Sequence, residues 1–119
     1  MADTKPTKAE REAAECAQAI AEMPDADRTI AERLHRIITE AAPELAPKTW
    51  YKQPAYAKDG KVVVFMRGAA IDGERYLTLG FSGEANIDDG GMWPTAYAVV
   101  AVGDADARRI AELVDRAVS

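Results

Sequence analysis

Ala55-Tyr56-Ala57-Lys58-Asp59-Gly60-Lys61-Val62-Val63-Val64-Phe65 is the stretch whose reading decides the fold. Asp59-Gly60 stands between two extended runs. A two-residue type I′ turn needs positive φ at both positions, and Asp-Gly supplies it at little cost. The flanking runs are rich in aromatic and β-branched residues, which suit a pleated, half-buried surface. The stretch therefore predicts an antiparallel hairpin. Val62, Val64 and Met66 alternate with Val63 and Phe65, and both sets are apolar, so the second strand is expected at the centre of a sheet.

Working outward, Lys48 to Lys52 reads as a short first strand. Pro54 cannot donate to a ladder, so that segment is expected to be an edge or to break there. Gly68 to Glu74 reads as a loop turning at Asp72-Gly73. Tyr76 to Ser82 is the next strand, with Leu77, Leu79 and Phe81 on one face and Tyr76, Thr78 and Gly80 on the other. Gly83 to Trp93 reads as irregular, with one helical turn around Ala85 to Asp88. Tyr97 to Val102 is the last strand.

Helices flank the sheet. Thr7 and Glu10 fit a capping box. Ala9, Ala13, Cys16, Ala17 and Ile20 then recur at helical spacing, but the stripe is mostly alanine and buries little area. Pro24 ends this helix, and Asp25 or Asp27 is the expected cap of the next. Ile30, Leu34, Ile37, Ile38 and Ala41 give the second helix a stronger stripe. His35 lies beside it, as a boundary or solvated histidine. Asp104 is the expected cap of a final helix with Ile110, Leu113, Val114, Ala117 and Val118 on one face. The fold class is α+β: two N-terminal helices, an antiparallel sheet of about four to five strands, and a C-terminal helix packed on one face. Residues 1–6 read as a flexible tail, 7–22 as a peripheral helix and 23–119 as a single domain.

Bulk properties narrow the function. The 119 residues suit one domain with a proper core. A formal net charge of −5 argues against general binding to nucleic acid or to an anionic membrane. No apolar run approaches the roughly 20 residues of a membrane span. The N-terminal dozen residues have no apolar core of the secretory kind. One cysteine, Cys16, cannot form an internal disulfide, which fits a reducing cytoplasm. There is no P-loop, no dinucleotide fingerprint, no zincin motif and no nucleophile elbow, which lowers the odds of an enzyme and leaves, as a further alternative, one whose site is assembled from residues that sequence spacing does not reveal.

Two charge features remain. Lys48, Lys52, Lys58, Lys61 and Arg67 stand against the single acid Asp59, interleaved with Trp50, Tyr51 and Tyr56. Cations attract an anion and aromatic rings stack on a flat ligand. The plainer reading is core aromatics with lysines guarding strand ends. The expected ligand site has Trp50, Tyr51, Tyr56 and Trp93 as walls and Lys48 and Lys52 as anchors, between the sheet and the Asn86 to Trp93 loop. The second feature is acidic: Glu84, Asp88, Asp89, Asp104 and Asp106, with no Lys or Arg between Ser82 and Ala107. Glu84, Asp88 and Asp89 offer oxygen ligands to a hard cation, or simply cap turns.

Trp50-Tyr51, Pro54-Ala55-Tyr56, Asp59-Gly60-Lys61-Val62-Val63, Leu79-Gly80-Phe81, Asp88-Asp89 and Met92-Trp93-Pro94 together resemble the YdhG-like domain family of bacteria. The resemblance covers roughly Met23 to Ser119. It implies a small domain of largely unknown function. Some members are labelled frataxin-like iron chaperones, which implies weakly bound iron at the acidic residues as the alternative to a module without cofactor. The resemblance also implies Gly after Trp50-Tyr51. This chain has Lys52 there, which puts a tight turn at that point in question.

Overall fold

The computed structural model describes residues 5–119. Of the expected tail, residues 1–4 lie outside the described residues, and Lys5 and Pro6 are exposed without regular structure. The elements are α1 (Lys8–Ala21), α2 (Asp25–Ala41), β1 (Ala46–Trp50), β2 (Gln53–Lys58), β3 (Lys61–Arg67), α3 (Ala69–Asp72), β4 (Leu77–Phe81), β5 (Ala96–Val99) and α4 (Asp104–Val118). The five strands form one antiparallel meander in chain order, β1 and β5 at its edges. This is the α+β architecture the sequence predicts, with α4 beside α2 over the sheet.

The decisive hairpin forms as expected. Asp59 (φ 52°) and Gly60 (φ 80°) make the turn, and Lys58 pairs with Lys61. The register shifts between Tyr56 and Ala57, so β3 carries one extra residue there. Such a bulge breaks strict alternation. Val63 and Val64 consequently both enter the core, whereas Val62 is only half-buried. β3 is central, as predicted. Pro54 lies inside β2 rather than ending a strand, and β2–β3 pairing begins one residue later, at Ala55 with Phe65. The first hairpin supplies a second tight turn. Trp50 pairs with Gln53 across Tyr51 (φ 51°) and Lys52 (φ 64°), two consecutive left-handed residues, neither of them glycine. The turn forms despite Lys52.

The core lies between the sheet and the helix layer. Tyr56, Val64, Met66, Leu77, Leu79 and Phe81 meet Leu34 and Ile38 of α2 and Val114 of α4. The Leu77, Leu79 and Phe81 face is the buried one, as expected. Cys16 and Ile20 join the same core, and α1 packs over β1 and β2. The helix expected to be peripheral is thus built in through two residues, although Ala9 and Ala17 of its stripe are exposed. Its capping box is present as predicted.

Four local expectations are corrected. Asp25 and Asp27 do not cap α2, whose N-cap is Pro24 with no side-chain bond. Asp27 is buried, and its carboxylate accepts from the backbone N–H of Ala69 and of Ala70, both at 3.1 Å. It thereby supports the one-turn helix α3 where a loop was expected. No helical turn forms at 85–88. Asn86 instead donates its backbone N–H to Ala117 O at 3.0 Å, tying this segment to the end of α4. Asp104 is the first residue of α4; Asp106 supplies the cap by accepting from Gly103 N–H at 3.0 Å.

Candidate functional site

Side chains alternate across a strand, and paired residues share a face. Phe65 pairs with Ala55 and with Gly80, and Gly80 pairs with Ala96. These residues lie opposite Val64 and Met66, on the face turned away from the helix layer. Arg67, Thr78 and Ala98 form the next row of that open face. A Cβ at Gly80 would run into the Phe65 ring, so the ring lies flat over the glycine. Trp50 meets the edge of Phe65, with ring centroids 5.3 Å apart. Tyr51 tilts against Trp50 at 5.0 Å.

The three rings form a continuous aromatic ridge. Trp50 is 38 % exposed and Tyr51 81 %, far more than such side chains need for packing. Left-handed backbone at a non-glycine residue costs about 1 kcal/mol or more, and it persists where the surroundings demand it. Here the two-residue turn holds Tyr51 outward beside Trp50 and projects Lys52 from the same corner. Lys52 is exposed and makes no ion pair among the described residues. The corner thus combines aromatic faces with an unengaged cation.

The other expected site residues go elsewhere. Lys48 lies in the row of Ala55 and Phe65, but its ammonium sits 3.6 Å from the Glu12 carboxylate of α1. Tyr56 has no exposed surface. Its hydroxyl lies 2.8 Å from His35 Nδ1. Burial pushes the Cys16 thiol and the Tyr56 phenol up and pulls the His35 imidazole down, so all three stay neutral near pH 7. His35 is the boundary residue the sequence predicts; Tyr56 is a core residue and walls no surface site.

Trp93 lies on the opposite side of the sheet from Trp50. It packs against the core and lines a cleft with Tyr97, Arg109, Glu112, Leu113 and Arg116. The expected site between the aromatic-basic sheet region and the Asn86 to Trp93 loop is therefore divided in two. Arg109 and Arg116 of this cleft are separated in the chain and form no contiguous basic stretch. Residues 109, 112, 113 and 116 fall at helical spacing on one face of α4, a signal available from the sequence.

The acidic residues do not converge. Glu84 borders a cleft with Lys58, Lys61 and Ser119, whereas Asp89 borders the Trp93 cleft. Among the described residues no three of His, Cys, Asp and Glu come together in a way that could hold a metal ion. Asp27, the one buried acid among the described residues, is committed to α3. Among the described residues no helix is long and apolar enough to cross a membrane.

Scans of protein-family models, curated proteins and solved structures return no match to this chain.

Proposed function

We propose that the chain is a small binding module of the YdhG-like kind, working in a reducing cytoplasm, with no catalysis of its own. Its ligand is a small molecule with a flat ring and an anionic group. The ring stacks on Trp50 and Tyr51 at the corner of the open sheet face, and the anion pairs with Lys52. The observation that carries this reading is the two-residue turn at Tyr51-Lys52. It holds an 81 % exposed tyrosine in left-handed backbone next to a partly exposed tryptophan. The hairpin accounts for the left-handed backbone; the exposure of Tyr51 beside Trp50 is what packing does not use and stacking on a ligand would. Three nucleophilic or titratable side chains stand away from this corner. Cys16 and Tyr56 are fully buried, and His35 is turned to Tyr56.

The test is a ligand-observed NMR screen with aromatic carboxylates and aromatic phosphates, using wild type and Tyr51→Ala. Hits that bind wild type and lose about tenfold in affinity with the variant support the reading, since stacking contributes about 1–3 kcal/mol per ring. Hits that bind both proteins equally would move the site off this corner.

A further inference from the structure

The two edges of the sheet are treated differently. β1 carries Pro47 and Lys48, ends next to Lys52, and is packed by α1. Proline, charge and a covering helix are the usual means of blocking an edge. β5 has none of these. It reads Ala96-Tyr97-Ala98-Val99 and ends there, short of the expected Val102, with a bend at Val100, which is 60 % exposed; residues 96–102 are uncharged and apolar and contain no proline. Among the described residues nothing pairs with its outer side.

The hydrogen-bond alternation shows what that side offers. Phe81 N–H donates to Thr95 O at 2.7 Å, which makes the Phe81 and Thr95 pair a bonded one. Bonded pairs alternate in an antiparallel ladder. Thr95, Tyr97 and Val99 therefore turn their N–H and C=O to β4, and Ala96 and Ala98 turn theirs outward.

Beside this edge runs α4. Its Ala101 end lies with Asp106, and its Trp93 end lies with Arg116. Asp106, Arg109, Glu112 and Arg116 line the clefts between β5 and α4, and none forms an ion pair among the described residues. Asp106 accepts from Gly103 N–H, Arg109 lies over the Tyr97 ring, and Arg116 donates to Asp88 O. Read along the helix, their signs are minus, plus, minus, plus. Such a line is complementary to itself when reversed. The line spans about 15 Å at 1.5 Å per residue, and β5 spans about 13 Å. Tyr97 lines both clefts with Arg109 and Leu113, so the middle of the charged line is level with the middle of β5.

The geometry points to a second copy of this chain as the occupant of the β5 edge. Two β5 strands pair antiparallel about a two-fold axis and form one ten-stranded sheet. The same axis sets the two α4 helices antiparallel, with Asp106 facing Arg116 and Arg109 facing Glu112 of the second copy, each pair occurring twice. An isologous contact of this kind closes on itself. Because the β1 edges are blocked, the dimer does not grow into a fibre.

Sedimentation velocity over a range of concentrations tests this, on wild type, Ala98→Pro, Arg109→Glu and Arg109→Glu/Glu112→Arg. Wild type is expected to be a dimer at micromolar concentration. Ala98→Pro removes an outward donor and leaves the bonds to β4 intact, and it should give monomer. Arg109→Glu sets like charges together and should raise the dimer dissociation constant about tenfold or more. The double exchange restores opposite signs and should recover the dimer, which a variant that merely damaged the fold would not do. A wild type that stays monomeric up to about 1 mM overturns the inference. So does a dimer indifferent to Ala98→Pro and to Arg109→Glu, and so does failure of the double exchange to recover what the single one loses.

Discussion

The Phe65 ring lies over Gly80, its cross-strand partner, in the space a Gly80 side chain would fill. Gly80 is thus what lets the ring lie flat and meet Trp50. Gly80→Ala should push the ring aside and cost about 1–3 kcal/mol, the usual range for overpacking. Urea unfolding measures it. A loss under about 0.5 kcal/mol would mean that the ring moves freely and that the ridge is not fixed by this contact.

His35 gives the fold a pH dependence. Its imidazole is depressed by burial from an ordinary value of 6.5. Above that value both the folded and unfolded chains hold it neutral, and the stability is fully present. As pH falls below about 6.5, the unfolded chain takes up the proton first, so stability declines until pH reaches the depressed folded value. Wild type should therefore lose more stability than His35→Gln between about pH 7.5 and about pH 5.5. Equal losses in denaturant titrations would show that His35 does not carry the effect.

Asp27 ties α2 to α3 through two backbone bonds. Asp27→Ala should cost about 0.5–2 kcal/mol, as lost helix caps do. The loss should appear first as faster hydrogen exchange at Ala69 and Ala70. Unchanged exchange at those amides would remove Asp27 from this role.

These contacts mark where the sequence was legible and where it was not. Asp59-Gly60, the Leu77, Leu79 and Phe81 alternation and the Thr7 and Glu10 box are local signals, and each forms as read. Asp27 has the local signature of an α2 cap, but its carboxylate is used by a helix that begins more than 40 residues later. Periodicity could not show that choice. Tyr56 read as a site wall because it stands among lysines in the chain, yet strand alternation turns it inward; Lys58 shares its face, but at the strand end its ammonium reaches Val118 O. Trp50 and Trp93 read as one site because both are aromatic residues near charge. Which face of the sheet each reaches depends on register and on the path of residues 82–95. Lys52 is the reverse case: the missing glycine argued against a tight turn, and the hairpin imposes one.

The chain has two tryptophans, so a ¹⁵N-labelled sample gives two indole N–H signals. Trp50 reports the open-face corner and Trp93 the cleft by α4. Titration with an aromatic carboxylate identified in the ligand screen is the most direct test of the proposed binding face. The Trp50 signal and the backbone signals of Tyr51 and Lys52 should shift with saturation, while the Trp93 signal stays in place. Saturable shifts at Trp93 with Trp50 unmoved would contradict the account.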